Sequence, residues 1–165
     1  MKLIILRGLP SSGKSTFADF IQETSYNAGF SSTVCTTDDY PPLYDRTKNP
    51  VQFNGATMDK DGVRMITKAH LWNQNRVKTL MQADEECDVI IVANTNTQRW
   101  EMEPYLKLAK DNHYSVTILE VQSGLSVEKL ANRNANGTPE NVIARMRDGF
   151  EHEWEEGNPN PPWER

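Results

Sequence analysis

Residues 8–16 read Gly-Leu-Pro-Ser-Ser-Gly-Lys-Ser-Thr and match the pattern Gly-x-x-x-x-Gly-Lys-Ser/Thr. In such a loop the glycines permit a tight turn whose backbone N–H groups point at phosphate oxygens. The lysine reaches the β and γ phosphates of a nucleotide, and the hydroxyl after it binds Mg²⁺. The predicted residues of this ATP (or other nucleoside triphosphate) site are Gly8, Leu9, Pro10, Ser11, Ser12, Gly13, Lys14, Ser15 and Thr16, with Ser15 as the metal ligand.

Two further polar segments follow predicted strands, Thr37-Asp38-Asp39-Tyr40 and Asn94-Thr95-Asn96-Thr97. In open parallel sheets, ligands bind beyond the carboxyl ends of the strands, so these segments should converge with the phosphate loop. Phosphoryl transfer to a hydroxyl needs a carboxylate that accepts the hydroxyl proton, and Asp38 is the candidate. Asp39 either orients metal-bound water or caps the turn. Since Asp and Pro form turns, a purely structural turn is the alternative for the whole segment.

Arg133 lies between two predicted short helices, where a lid over the phosphates is expected. An arginine there would neutralise charge on the transferred phosphoryl group, and Arg145 and Arg147 are weaker candidates of the same kind. A solvated surface arginine is the alternative.

A predicted helix over residues 63–83 places Arg64, Lys68, Trp72 and Arg76 on one face. A basic row with one aromatic ring can follow a single nucleic-acid strand. The alternative is a solvated face with Trp72 half-buried.

Hydrophobic periodicity and turn residues predict parallel strands over 2–7, 32–36, 88–93 and 115–121. Helices are predicted between them over 14–27, 63–83 and 103–112, with Pro104 in the first turn of the last one. A short helix begins after Ser126, and a final helix runs from Thr138, its N-cap, to about residue 155. Residues 41–62 are predicted to be a long irregular loop. The sequence therefore predicts one domain over 1–156 and an irregular tail over 157–165.

The bulk composition limits the function classes. The 165 residues carry a net charge of −5 and two cysteines. The negative charge argues against a broad grip on duplex nucleic acid, and the cysteine count against a disulfide framework. Because no signal peptide or membrane-length apolar run is found, a cytoplasmic protein is expected, with no membrane contact and no obligate protein partner.

Taken in order, these motifs resemble the P-loop 5′-hydroxyl polynucleotide kinase family, which includes the kinase domains of phage polynucleotide kinase and, more similar, of the Nedd-four-binding proteins. The resemblance rests on five segments: residues 6–16, 37–40, 69–73 (Ala-His-Leu-Trp-Asn), 94–105 and 133–139 (Arg-Asn-Ala-Asn-Gly-Thr-Pro). It implies an adenylate-kinase-like P-loop NTPase fold, α/β, with four or five parallel strands, helices on both faces and a small arginine-bearing lid. It also implies ATP- and Mg²⁺-dependent phosphorylation of a single-stranded RNA or DNA end with a 5′-hydroxyl. Lys14, Asp38 and Arg133 would be its catalytic residues.

The chain departs from this family's pattern at two places. Pro41 and Pro42 follow the Asp-Asp-Tyr segment where phage enzymes carry an arginine, so acceptor recognition must differ. Ala93 stands near the end of a strand where relatives tend to have an aspartate. Two alternatives therefore stay open: a kinase of a small-molecule hydroxyl (nucleoside or antibiotic), and a nucleotide-binding module with weak catalysis.

Overall fold

The computed structural model describes residues 1–85 and 87–165 and has an α/β fold. The strands are β1 (Lys2–Arg7), β2 (Ser32–Cys35), β3 (Tyr44–Asp45), β4 (Gln52–Phe53), β5 (Val89–Val92) and β6 (Ser115–Glu120). The helices are α1 (Lys14–Asn27), α2 (Met65–Met81), α3 (Arg99–Asp111), α4 (Val127–Asn132) and α5 (Glu140–Asp148). Short 3₁₀ turns cover Thr37–Asp39, Pro41–Leu43, Trp154–Glu156 and Pro162–Glu164.

Four strands form one parallel sheet, as predicted, and their order in the sheet is β2-β5-β1-β6. The apolar, β-branched runs in β1 and β5 suit central strands that are covered on both faces. Because every strand runs the same way, the segments that follow β1, β2, β5 and β6 meet at one edge of the sheet.

Side chains of β1 alternate between two cores, so the sheet is the middle of three layers. Leu3 and Ile5 pack with the inner faces of α2 and α3, whereas Ile4 and Leu6 pack against α1. The first core includes Val77, Met81, Met102, Tyr105 and Ala109, and the second includes Ala18 and Ile21. Helices on both faces of the sheet confirm the predicted fold class.

Three predicted helix boundaries are wrong. Helix α3 begins at Arg99 because a capping box between Gln98 and Glu101 starts it, so Pro104 lies inside the helix and not in its first turn. Helix α5 ends at Asp148 and not near residue 155, because the chain turns at Gly149. Its N-cap is Pro139 and not Thr138.

The segment over 41–62 is more ordered than predicted. Its chain forms the antiparallel hairpin β3–β4, and the buried Leu43 anchors it through a 2.9 Å hydrogen bond from the Asn54 N–H to the Leu43 carbonyl. Among the described residues, no helix is long and apolar enough to cross a membrane.

Candidate active site

The phosphate loop between β1 and α1 requires glycine at residue 8. Gly8 has φ 155°, and a Cβ there would lie 2.6 Å from both the Ser12 Oγ and the Val121 carbonyl oxygen. The Gly8 N–H donates to the Thr95 carbonyl at 2.9 Å, which fixes the start of the loop to the segment after β5. The loop conformation is therefore set by close backbone approach at its first residue.

Lys14 is buried inside this loop. Its Nζ donates to the Gly8 and Leu9 carbonyls, both at 2.8 Å. Burial lowers the pKa of Lys14 to about 8, and the negative charge of Asp38 partly opposes that shift. The lysine is thus a desolvated cation near Asp38, and it is poorly compensated until an anion approaches it.

The loop fits a nucleoside triphosphate with Mg²⁺. Within the described chain, the buried Ser12 Oγ has no hydrogen-bond partner, so it is free to donate to a phosphate oxygen. Gly13, the N-cap of α1, provides no side-chain cap, and the first turn of the helix carries no acidic residue that would repel an anion. Ser15 is exposed in that first turn, where its hydroxyl can reach a metal ion.

Asp38 follows β2 in the 3₁₀ turn Thr37–Asp39. The Thr36 side chain accepts a hydrogen bond from the Asp38 N–H at 3.3 Å and so caps this turn. The Asp38 carboxylate accepts one hydrogen bond on each oxygen: from the Tyr44 hydroxyl to Oδ1 at 3.1 Å, and from the Asn136 Nδ2 to Oδ2 at 3.1 Å. Each oxygen keeps a second lone pair that can take a proton.

A cavity of about 440 Å³ opens beside Asp38. Its lining is acidic, aromatic and cationic: Asp38, Asp39, Tyr40, Pro41, Tyr44 and Arg46. The Arg46 guanidinium lies 5.0 Å from the centre of the Tyr44 ring. Burial and the neighbouring Asp38 raise the pKa of Tyr44, so its hydroxyl stays protonated and acts as a donor.

Asp39 lines the same cavity as Asp38, but its carboxylate is paired with a cation. Its Oδ2 accepts from the Arg76 Nη1 at 2.8 Å, and Arg76 also lies over the Trp72 ring, 5.5 Å from its centre. Lys68 of the same helix face is paired with Asp59. Two cations of the predicted basic row on α2 are therefore already paired with carboxylates.

The lid is α4, α5 and the turn between them. Val127, Leu130 and Ile143 form its small core, and Leu9 of the phosphate loop packs against this core. Arg133, at the C-terminus of α4, is exposed, and its side chain makes no hydrogen bond or ion pair with the rest of the described chain. The structure thus places Arg133 on the lid but does not bring it into contact with Lys14 or Asp38.

The polar segment Asn94–Thr97 lies at the same sheet edge but faces inward. Asn94 is buried and accepts from the Thr37 N–H at 2.9 Å, which joins the turn after β2 to the end of β5. The Asn96 and Thr97 carbonyls accept from Arg7, whose side chain is only 1% exposed. The side chains of Asn94, Asn96 and Thr97 are thus bonded within the protein, and they hold the site together.

Four residues that contact or border the site were missed from the sequence: Tyr44, Arg46, Asn134 and Asn136. Tyr44 and Arg46 lie in the segment predicted to be irregular. The two asparagines belong to the Asn-Ala-Asn-Gly turn of the lid, a composition that indicates a tight turn and nothing more specific.

A larger cavity of about 930 Å³ lies away from the phosphate loop, between α2, α3 and the C-terminal segment. Trp100 and Trp163 line it and pack edge to face, with ring centres 5.2 Å apart. None of the residues predicted for phosphate or metal binding borders it, so cavity size does not identify the active site here.

Comparisons with known proteins agree with this geometry. A glycine-rich loop between the first strand and helix of a parallel α/β sheet defines a P-loop nucleotide-binding domain with a kinase-like fold. The family described as AAA domain matches residues 3–152, and the chain belongs to that family. The human NEDD4-binding protein 2 is 34% identical over 151 residues, which are 90% of this chain but 8% of that protein.

Solved structures share the fold at low sequence identity. Chaetomium thermophilum Kti12 in complex with ADP-AlF3 has a TM-score of 0.64 at 18% identity, covering 98% of this chain and 84% of that one. The Mycobacterium tuberculosis APS kinase CysC, in complex with AMPPNP and APS, has a TM-score of 0.52 at 17% identity, covering 98% and 83%. A gluconokinase from Sinorhizobium meliloti 1021 has a TM-score of 0.52 at 17% identity, covering 94% and 78%.

Proposed function

We propose that the chain is a kinase that transfers the γ phosphate of ATP to the 5′-hydroxyl of a single-stranded RNA or DNA end. One observation carries the proposal: the Asp38 carboxylate lines an open cavity, keeps acceptor lone pairs on both oxygens, and acts electrostatically on Lys14 of the phosphate loop. A carboxylate so placed can take the proton of an alcohol that attacks a phosphate held by the loop.

In this proposal the loop N–H groups, Ser12 and Lys14 hold the triphosphate, and Lys14 regains a counter-charge for its buried ammonium. Mg²⁺, when bound beside Ser15, would neutralise negative charge on the phosphate oxygens. Asp38 accepts the hydroxyl proton while the acceptor oxygen bonds to the γ phosphorus and the bond to the β-phosphate oxygen breaks, releasing ADP. Arg133 moves with the lid to face the transferred group.

The cavity lining supports a nucleic-acid acceptor. Tyr40 places an aromatic ring in the lining against which a base can stack, and Arg46, which lies over the Tyr44 ring, offers a guanidinium that can bind a backbone phosphate. Pro41 and Pro42 stand directly after the Asp-Asp-Tyr segment, where phage enzymes carry an arginine. Arg46, slightly further along the chain, places an arginine near Asp38 instead. The negative net charge of the whole chain argues against a broad contact with duplex nucleic acid and is compatible with a local contact at one strand end.

A small-molecule kinase is the second candidate, because a 440 Å³ cavity also suits a single small alcohol. Competition separates the two functions. Oligonucleotides with a 5′-hydroxyl inhibit a kinase of strand ends, whereas a nucleoside or antibiotic kinase continues to label its own acceptor in their presence.

The test is label transfer from γ-labelled ATP with Mg²⁺ to RNA and DNA oligonucleotides that carry a 5′-hydroxyl. Oligonucleotides with a 5′-phosphate serve as the matched acceptor control. Asp38→Asn is expected to lower the transfer rate by ~10²–10⁴, the range typical of a lost general base. Asp111→Asn, an exposed carboxylate at the C-terminal end of α3, is the control and is expected to retain near-normal activity.

Three outcomes would contradict the proposal or part of it. A normal rate in Asp38→Asn removes Asp38 as the base. Labelling of small alcohols that oligonucleotides do not inhibit favours the small-molecule kinase. ATP binding by isothermal titration calorimetry, with no transfer to any acceptor, favours a nucleotide-binding module without turnover.

A further inference from the structure

The turn at the tip of the lid contacts both halves of the site through two asparagines. Asn134 Nδ2 donates to the Ser11 Oγ of the phosphate loop at 3.0 Å. Asn136 Nδ2 donates to the Asp38 Oδ2 at 3.1 Å, on the acceptor side. One short turn of the lid therefore connects the loop that would hold the donor with the carboxylate that would activate the acceptor.

The Asn136 amide is fixed at both ends. While its Nδ2 donates to Asp38, its Oδ1 accepts from the Arg46 Nη1 at 3.3 Å. Arg46 in turn packs over the ring of Tyr44, whose hydroxyl donates to the other Asp38 oxygen. Asp38, Tyr44, Arg46 and Asn136 thus form a closed ring of contacts around the cavity.

Hydrogen bonds within the turn link the positions of its two asparagines. The Asn134 Oδ1 accepts from the Asn136 and Thr138 N–H groups, both at 3.0 Å, so the side chain that contacts the phosphate loop also shapes the backbone that carries Asn136. Leu9 of the phosphate loop also packs against the apolar core of the lid, so α4 and α5 contact the same loop as Asn134 does.

From these contacts we infer that Asn136 is a positioning residue: it orients the Asp38 carboxylate while the lid is seated on the phosphate loop. This inference rests on the proposed kinase function for its catalytic consequence. The lid would then link the donor and acceptor sides of the site, because one turn bonds both to Ser11 of the phosphate loop and to Asp38. An error of about 1 Å in a reacting group can cost ~10² in rate, so loss of this contact should be measurable.

Kinetics with three variants test the inference. Asn136→Ala removes both side-chain bonds, and Asn136→Asp keeps the shape but sets a carboxylate against that of Asp38. Asn132→Ala, exposed on the last turn of α4, is the matched control. We expect kcat to fall by ~10² in Asn136→Ala and further in Asn136→Asp, with the KM for ATP within about twofold of the control.

Hydrogen–deuterium exchange of residues 133–138 in the substrate-free protein gives a readout that needs no turnover. Exchange is expected to be faster in Asn136→Ala than in Asn132→Ala, because the turn has lost its contact with Asp38 and Arg46. If the wild-type protein phosphorylates no acceptor, the proposed function fails, while this exchange difference still establishes the contact between lid and carboxylate.

Either of two results would overturn the inference. One is a kcat for Asn136→Ala equal to that of Asn132→Ala, or exchange rates that do not differ between these two variants. The other is a rise in the KM for ATP as large as the fall in kcat, which would mean that the lid holds the donor and does not orient Asp38.

Discussion

The segments after β1 and β5 lie side by side at one sheet edge, yet their polar groups have opposite roles. In the phosphate loop after β1, the Ser12 Oγ has no protein partner among the described residues, and Lys14 is a desolvated cation whose two hydrogen bonds stay within the loop. In the segment after β5, Asn94, Asn96 and Thr97 are buried and bonded to other parts of the chain. Polar composition at a sheet edge does not separate ligand-binding groups from structural ones; hydrogen bonds to other parts of the chain do.

The difference has an energetic side. Unsatisfied polar groups and buried charges cost stability until a ligand binds, whereas paired ones stabilise the fold. Replacing a group directed at a ligand should therefore lower function and leave stability intact or improved. Replacing a group bonded within the protein should lower stability first.

The largest expected effect on stability comes from Arg7→Met. The Arg7 guanidinium donates to the carbonyls of Asn96, Thr97 and Glu151 at 2.7–3.0 Å, and its loss leaves these acceptors unpaired. We expect a loss of about 3–5 kcal/mol in the free energy of unfolding, seen as a Tm lower by roughly 10 °C. Arg147→Met is the control, since Arg147 is exposed and, among the residues that the structure describes, pairs only with its neighbour Asp148. Equal Tm values for the two variants would remove the structural role of Arg7.

Lys14→Met tests the other side of the comparison. Nucleotide affinity, measured by isothermal titration calorimetry, is expected to fall by ~10²–10³ because a cation aimed at the phosphates is lost. The Tm of the ligand-free protein should not fall, since the variant removes a buried charge whose pKa burial lowers to about 8. Lys78→Met, exposed on α2, should change neither quantity. A drop in Tm as large as that of Arg7→Met would place Lys14 among the structural groups.

The smallest effect is expected for Asn94→Ala. In the wild-type protein, Asn94 joins the turn after β2 to the end of β5. The variant loses the bond from the Thr37 N–H and the contact of Asn94 with the Tyr105 hydroxyl. We expect a loss of about 1–3 kcal/mol by denaturant unfolding, together with a modest fall in kcat as the turn that carries Asp38 loosens. Asn75→Ala, exposed on α2, is the control. A fall in kcat with unchanged stability would mean that Asn94 serves the substrate and not the fold.

The phosphate loop and the positions of the strands along the chain could be predicted because the signals are local. Gly8, Gly13 and Lys14 are fixed by spacing within one short loop, and apolar runs of strand length mark β1 and β5. The boundaries of α3 and α5 were wrong because a capping box at Gln98 and a turn at Gly149 set them, and periodicity does not show either feature.

Other features of the site had no local signal. Tyr44 and Arg46 reach the cavity through a hairpin of two-residue strands, too short to give a sequence pattern. Asn136 contacts Asp38 across a sequence separation of 98 residues. Two cations of the basic row, Lys68 and Arg76, are paired with acids from the preceding loops. Such pairings depend on how segments dock and are absent from any window of the sequence.

By itself, the sequence determined a phosphate-binding loop, a parallel α/β sheet and a short set of carboxylates and arginines at its edge, because spacing and hydrophobic period act between near neighbours. Tertiary structure alone decided which of those polar groups face a ligand and which are bonded inward. Arg7 shows the reason: it is the last residue of β1, and it is buried because Phe150 and Glu151, far along the chain, fold back over it.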